Sequence, residues 1–228
     1  MPPPNRAAAR VVCGKTRARD GKVRAFVGFT KDEIVAAGLR VARIKGAEGV
    51  TTRNIAAELG VSTRPIFTYY RGMDELRSDL RLAARAVYRR YAEEGLRQPI
   101  PFLGFGQQYL RFAREEPQLY RMLFLSPSAQ GGAMAEMTQS QALLRPSLCR
   151  IYHLDETAAD RYFRNMWLIV HGLATLIVTD SCPYSDAELS AILTECSVSL
   201  CKACKEIPGF ADGSFDWDAV FRELVEKS

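Results

Sequence analysis

Apolar residues recur three or four positions apart along almost the whole chain and hardly anywhere alternate in twos. This spacing is typical of amphipathic helices and predicts an all-α protein with about nine helices. The first helix is expected to begin at a capping box, in which Thr30 and Glu33 satisfy each other's backbone donors, and to end at Gly46. Its buried side is predicted to hold Ile34, Ala37, Val41 and Ile44.

Two short helices separated by a glycine turn are predicted next. Thr51 and Thr52 offer an N-cap for the first of them, Gly60 ends it, and Ser62 is expected to cap the second. This order is the pattern of a helix-turn-helix, whose second helix lies in the major groove of DNA. A helical hairpin buried in a core has similar spacing, but the second helix here carries polar residues that argue against burial, namely Thr63, Arg64, Thr68, Tyr69 and Arg71.

Longer helical segments fill the rest of the chain. Their expected ranges are 74–97, 102–116, 117–125, 134–152, 155–180 and 186–207, followed by a last turn or two from Phe215. The last two long segments are joined by a short connection and should form an antiparallel pair. Residues 126–133 are rich in small side chains and are expected to form a loop.

Composition places the 228-residue chain among ordinary globular proteins, with 47% hydrophobic and 25% charged residues. The formal net charge of +5 combines two opposite halves, because residues 1–97 hold 20 basic and 10 acidic side chains and the remainder holds 11 and 16. A local excess of Lys and Arg is expected where a protein meets a polyanion such as DNA. Residues 1–29 are predicted to form a basic flexible arm, either solvated or inserted into a DNA groove.

Several other classes of protein are disfavoured by the sequence. No signal peptide or membrane-spanning segment is recognisable, so we expect a cytoplasmic protein without membrane contact. Cys196, Cys201 and Cys204 fall on a predicted helix, where packing is favoured over a metal or redox site. With only two histidines, His153 and His171, and no phosphate-binding loop or nucleophile elbow, we expect neither an enzyme nor a bound cofactor or metal.

The N-terminal pattern resembles the TetR family of bacterial transcription repressors. The resemblance extends over about 45 residues and is carried by Ile34, Ala37, Gly46, Thr51, Ile55-Ala56, Leu59-Gly60-Val61-Ser62, the 67–70 stretch and Leu76. It implies a helix-turn-helix DNA-binding domain at residues 30–76 and a helical regulatory and dimerisation domain at residues 77–228.

The family's DNA contacts, carried over by position, fall on Thr51, Thr52, Arg53, Thr63, Arg64, Phe67, Thr68, Tyr69 and Arg71. The resemblance implies that Thr52 caps its helix and touches a phosphate, that Arg53 reaches a base edge or a phosphate, and that Arg64 contributes to sequence specificity. Two positions depart from the family pattern, since Phe67 and Met73 replace a tyrosine and a lysine that bind phosphate. Arg71 and the basic arm are expected to compensate for those contacts. Ile55, Ile66 and Tyr70 are predicted to hold the three helices together.

The acidic half is rich in aromatic and methionine side chains. Most are expected to pack helices together, and a subset to line a small-molecule pocket, namely Phe105, Tyr109, Phe112, Tyr120, Phe124, Met137, Met166 and His171. Trp167, His171 and Gly172 resemble the regulatory domain of the TetR subgroup named for a Trp-His-Gly triplet. His171 is open to several interpretations, of which a buried neutral histidine bonded to a neighbour is favoured over a ligand contact or a pH switch. Gly172 is expected to allow close helix approach.

The function predicted from these features is that of a homodimeric transcription regulator. The resemblance implies that helices at 155–180 and 186–207 form the dimer, although their apolar spacing fits packing within one chain equally well. Such a dimer would bind a palindromic operator on double-stranded DNA. A small, largely apolar effector would release this repressor. The alternative is a DNA-binding adaptor controlled by a protein partner. An enclosed apolar cavity would favour the effector, whereas a filled core with an exposed apolar patch would favour the adaptor.

Overall fold

The computed structural model describes residues 29–126 and 132–226, and all regular structure in these ranges is helical. The expected basic arm at residues 1–29 lies outside the described residues, apart from Phe29, as does most of the loop expected at 126–133. The helices are α1 (Lys31–Lys45), α2 (Thr52–Leu59), α3 (Arg64–Tyr69), α4 (Met73–Leu96), α5 (Pro101–Glu115), α6 (Pro117–Tyr120), a π-helical turn (Arg121–Leu125), α7 (Gly132–Tyr152), α8 (Glu156–Val178), α9 (Asp186–Glu206) and α10 (Trp217–Glu226).

The first three helices form a small head, as predicted. The capping box at the start of α1 is present, with the Glu33 amide donating to the Thr30 hydroxyl at 3.2 Å and the Thr30 amide donating to the Glu33 carboxylate at 2.8 Å. Gly46 and Gly60 end α1 and α2 with φ angles of +69° and +68°, a region that glycine enters without steric cost. The prediction for Ile44 was wrong, because its side chain is 76% exposed at the end of α1.

The caps of α2 and α3 differ from the prediction. Thr51, not Thr52, is the N-cap of α2, and its hydroxyl accepts from the Asn54 amide at 3.2 Å. Ser62 does not cap α3, which begins at Arg64 after an N-cap at Thr63 that makes no side-chain cap bond. The α3 start instead carries a proline at its first positions, where the missing N–H costs no helical hydrogen bond.

α4 connects the head to the larger helical body. In the head, α1 packs so tightly on α4 that a Cβ at Gly38 would lie 2.5 Å from the Leu80 side chain. In the body, α4 pairs with α5, and the two backbones touch where they cross, since a Cβ at Gly104 would lie 2.4 Å from the Gly95 carbonyl oxygen. Only glycine fits such a crossing without displacing one helix. α4 is therefore anchored at both ends.

A second connection joins the head to the body at α6. The Glu116 carboxylate precedes α6 and accepts two hydrogen bonds from the Arg43 guanidinium of α1, at 2.7 and 2.8 Å. Gly46, at the end of α1, lies against the Gln118 side chain of α6. A single helix was predicted over 117–125, but the chain forms one turn of α-helix and then a π-helical turn.

The body packs α5 and α8 at its centre, with α7 and α9 against them. The outer face of α8 is exposed and partly apolar, with Leu168 52% exposed and Leu176 also at the surface. Gly172 lies on this exposed face, and a Cβ there would meet no atom within 4 Å. The prediction that Gly172 allows close helix approach within the chain was therefore wrong. Val198 is exposed on the adjacent α9.

Candidate nucleic-acid interface and regulatory core

The exposed face of α2 and α3 carries unpaired positive charge. Arg53 lies in the first turn of α2, Arg64 begins α3, and Arg71 follows α3. All three side chains are exposed, and none forms a hydrogen bond or ion pair with a described residue. These guanidinium groups are therefore available to an external anion or base edge.

Other cations of the head are held within the protein. Lys31 pairs with Asp79 at 2.6 Å, Arg40 with Glu58 at 2.6 Å, and the Lys45 ammonium donates to the Asn54 side chain at 3.1 Å. Arg43 is bound by Glu116 as described above. The sequence did not distinguish paired from unpaired cations of the head, because the positions of the acidic partners depend on the fold. In the structure, the exposed Arg53, Arg64 and Arg71 differ from their neighbours in having no such partner among the described residues.

The remaining positions predicted to touch DNA lie in or next to α2 and α3 with varied exposure. Thr68, Tyr69 and Phe67 are exposed, Phe67 to 56%, whereas Thr52 and Thr63 are half-buried. Thr51 is exposed, but its hydroxyl accepts the cap bond of α2. Ile55, Ile66 and Tyr70 are buried beneath this face, as predicted for residues that hold the three helices together. The DNA contacts themselves stay predictions.

A cluster of aromatic side chains surrounds His171 in the body. The His171 Nδ1 atom lies 3.0 Å from the Tyr109 hydroxyl and 2.9 Å from the Tyr120 hydroxyl. The Trp167 indole stacks on the imidazole, with ring centres 4.7 Å apart and planes 8° apart. Three helices, α5, α6 and α8, thus contribute to one polar network within an aromatic core.

The electrostatics of this network favour neutral groups. Burial lowers the pKa of His171, because the charged imidazolium loses solvation. Burial also raises the pKa of Tyr109 and Tyr120, so both phenols keep their protons. A neutral imidazole leaves Nδ1 able to accept a hydrogen bond from a tyrosine hydroxyl. The interpretation of His171 as a neutral histidine bonded to neighbours fits this geometry.

The structure divides the predicted ligand residues into two groups. Phe112 and Phe124 join Tyr109, Tyr120 and His171, with the Phe124 ring centre 5.2 Å from Tyr109 and 4.9 Å from Tyr120. Phe105 and Met166 instead line a cleft between α5, α8 and α9. Met137 is buried on α7 and does not line that cleft. Their roles in binding a ligand stay predictions.

The cleft has an apolar lining and little free space. Its free volume is about 20 Å³, enough for about one water molecule. Phe102, Phe163 and Trp167 contribute to the lining, although none was among the predicted ligand residues. The Trp-His-Gly triplet was the one sequence signal that drew attention to Trp167. Phe102 and Phe163 have only the apolar spacing shared by every core residue.

A buried ion pair joins α4 to α7, and the sequence did not predict it. Arg85 of α4 pairs with Glu136 of α7, and Glu136 is only 6% exposed. Burial raises the pKa of the neighbouring Tyr88, and the Glu136 charge adds to this effect. Since α4 also enters the head, the pair ties α7 to the helix that connects the two parts.

Other chemical features are limited in the part of the chain that the structure describes. The five described cysteines are free thiols. No group of histidine, cysteine and acidic side chains within residues 29–126 and 132–226 is arranged to hold a metal ion. None of the described helices combines the length and apolar character needed to cross a bilayer.

Solved structures of other proteins share the all-helical fold described above. A TetR family member from Streptomyces coelicolor A3 is 21% identical, with a TM-score of 0.55 over 73% of this chain and 96% of that chain. A TetR-like regulator from Rhodococcus sp. RHA1 is 12% identical, with a TM-score of 0.56 over 78% and 97%. The multidrug binding protein EbrR complexed with malachite green is 21% identical, with a TM-score of 0.51 over 72% and 96%.

Sequence models identify both parts of the chain. Residues 34–80 match the model for bacterial regulatory proteins of the TetR family, and residues 102–195 match the model for the tetracyclin repressor-like C-terminal domain. No curated protein matches the chain significantly. The two matches fall on the head and the body of the all-helical fold, in the order that the TetR family requires. The chain is a member of the TetR family of transcriptional regulators.

Proposed function

We propose that this protein is a homodimeric repressor that binds a palindromic operator and is released by a small, largely apolar effector. The observation that supports this most directly is that the exposed side chains of Arg53, Arg64 and Arg71 have no hydrogen-bond or ion-pair partner among the described residues, whereas neighbouring cations are paired. In this proposal residues 30–76 bind DNA, and residues 77–228 bind the effector and the second protomer.

The first turns of α2 and α3 would supply the base contacts. Arg53 and Arg64 stand in the first turns of α2 and α3, and an arginine there reaches guanine O6 and N7 with a bidentate pair. Arg71 would contact a phosphate, which positions the head without selecting sequence. Phe67 would give apolar contact, because it has no hydroxyl to donate.

Dimer formation would use α8 and α9. Leu168, Leu176 and Val198 expose apolar surface on these helices, and the open space at Gly172 leaves room for a second copy. Two helices from each protomer would form a four-helix bundle. A twofold dimer would place its heads in successive major grooves, about 34–36 Å apart.

The effector would act on the core around His171. The fold likeness to EbrR, a multidrug binding protein seen with malachite green, supports an aromatic or apolar effector here. Tyr120 bonds to His171, and Glu116, four residues before it, holds Arg43 of α1. Movement of α6 on binding would therefore reach the head directly. The Trp167, His171 and Gly172 positions also support placement in the Trp-His-Gly subgroup.

A DNA-binding adaptor controlled by a protein is the second candidate. It is favoured by the tight core, whose cleft between α5, α8 and α9 offers only about 20 Å³. A screen of apolar compounds separates the two candidates, since the adaptor's operator affinity would not respond to any of them. The effector-controlled repressor would lose operator affinity with at least one compound.

DNA binding is tested with a duplex pool carrying randomised sequence and with the DNA next to the gene. We expect enrichment of a palindrome, and mobility shift should show that Arg53→Ala and Arg64→Ala each weaken binding by about 1–3 kcal/mol and relax base preference. Arg40→Ala is the matched control, because Glu58 already occupies that guanidinium. Failure to enrich any sequence would refute the proposal.

A further inference from the structure

One residue that lines the apolar cleft between α5, α8 and α9 carries a buried hydrogen-bond donor without an acceptor among the described residues. Trp167 lines the cleft and is 3% exposed, and its indole Nε1 atom has no hydrogen-bond partner among the described residues. An indole N–H can only donate. A donor buried without an acceptor costs about 1–3 kcal/mol relative to one that is satisfied.

Water is poorly suited to fill this role. The free volume admits about one water molecule, but a buried water is stable only with two to four polar partners. Ser197 is the one lining residue with a hydroxyl side chain, and this hydroxyl already bonds to the Tyr162 hydroxyl at 2.5 Å, so Trp167 and Ser197 give a water no more than the lower limit of two side-chain partners. The other lining side chains are apolar, among them Phe102, Phe105 and Phe163.

The indole is also linked to the regulatory network. It stacks on the His171 imidazole, which is within hydrogen-bond distance of Tyr120 on α6. A molecule that binds Trp167 would therefore act on the ring next to the contact between α6 and the head. Met166 lines the same cleft, and its unbranched side chain can change rotamer to widen it.

We propose that this cleft is a binding subsite for a flat, apolar molecule with one oxygen acceptor, such as a carbonyl or ether, which receives the Trp167 Nε1 proton. This inference rests on the proposed function, in that the molecule belongs to the effector class suggested above. A rotamer change of Met166 widens the cleft, the rings of Phe102, Phe105 and Phe163 then enclose the apolar part, and Trp167 selects the acceptor.

The test compares two probes of nearly equal shape, 1-indanone with a carbonyl and indane without one. The full chain carries Trp217→Phe, which removes the only other tryptophan, an exposed one on α10. With ¹⁵N-labelled tryptophan, the single indole N–H resonance should move downfield with 1-indanone and not with indane. From the worth of one neutral hydrogen bond, 1-indanone should bind about two- to tenfold more tightly than indane.

Trp167→Phe in the same chain keeps an aromatic ring but removes the donor, so both probes should bind with equal affinity. Its thermal unfolding is measured to confirm that the body is folded. The proposal would be overturned if the two probes bind equally well before this substitution, if 1-indanone is still preferred after Trp167→Phe, or if neither probe binds. Operator binding is measured without probes, so failure of DNA recognition is seen separately from failure of the cleft.

Discussion

His171 experiences an environment that disfavours its charged form. Burial among Tyr109, Tyr120 and Trp167 lowers its pKa below the ordinary value of about 6.5. Well above pH 6.5 the imidazole is neutral in both folded and unfolded chains. As the pH falls below 6.5 toward the lower folded-state pKa, the unfolded chain takes up a proton that the folded chain resists. Stability is therefore lost over that interval.

We predict that the melting temperature of the wild type falls more between pH 7.5 and 5.5 than that of His171→Gln. Glutamine keeps an oxygen that accepts from a tyrosine hydroxyl but does not titrate. His153→Asn is the matched control, because His153 is exposed and has a φ of +53°, which asparagine tolerates. Scanning calorimetry across the pH range measures the slope of melting temperature against pH for the wild type and for the two variants. Parallel slopes for wild type and His171→Gln would contradict the prediction.

Individual residues were predicted well where local spacing alone decides their place. Ile55, Ile66 and Tyr70 are buried because the helical period fixes which side of α2 and α3 faces the core. The prediction that Ile44 is buried was wrong because the final turn of a helix can extend beyond the surface that the helix packs against. The choice between Thr51 and Thr52 as cap depends on backbone angles that neighbouring threonines do not distinguish. The unmet donor of Trp167 depends on distant residues.

The helical elements were predicted from periodicity, but their interruptions were not. The segment 117–125 has continuous apolar spacing, yet it changes from α-helix to a π-helical turn at Arg121. The Ser126 amide donates to the Arg121 carbonyl at 2.9 Å, which closes the wider turn. A π-helical turn adds a residue without altering residue types, so spacing alone does not reveal it. Sequence spacing likewise does not predict the contact between Arg43 of α1 and Glu116, which precedes α6, since these residues are 73 positions apart.

Glu116→Gln should loosen the head from α6. The substitution replaces a carboxylate that accepts two hydrogen bonds from Arg43 with a neutral amide that has one acceptor oxygen. Hydrogen exchange measured by mass spectrometry should show faster exchange in the last turn of α1 and unchanged exchange in α8. Glu93→Gln, at an exposed 3.9 Å pair with Arg97, serves as control and should leave α1 unaffected. Equal exchange of α1 in both variants would exclude a coupling role for the pair.

The assembled molecule presents the outer faces of α8 and α9 as its proposed dimer surface. Leu168→Glu would bury two carboxylates in the twofold interface, so we predict a monomer by light scattering and weak operator binding. Leu143→Glu is matched to it, because Leu143 is 61% exposed on α7, outside the proposed interface. That variant should stay dimeric. A dimer with Leu168→Glu, or a monomeric wild type, would argue against this surface.

The overall architecture was accessible to sequence reasoning because a helical fold depends mainly on local periodicity. The division into a basic N-terminal part, residues 1–97, and an acidic remainder also followed from counting charges. The pairing of Lys31, Arg40 and Arg43 required the structure, because their acidic partners lie on other elements. The crossing at Gly95 and Gly104 also required the structure, because it depends on how closely α4 packs on α5.

The unpaired arginines have a consequence for how the protein can evolve. The side chains of Arg53, Arg64 and Arg71 form no hydrogen bond or ion pair with the rest of the described chain, so replacing them should cost little folding stability. Arg43, by contrast, helps to hold the head on the body. Recognition and folding thus draw on separate side chains. Selection, or a designer, can exchange the side chains at positions 53 and 64 to address a new DNA site while the scaffold stays intact.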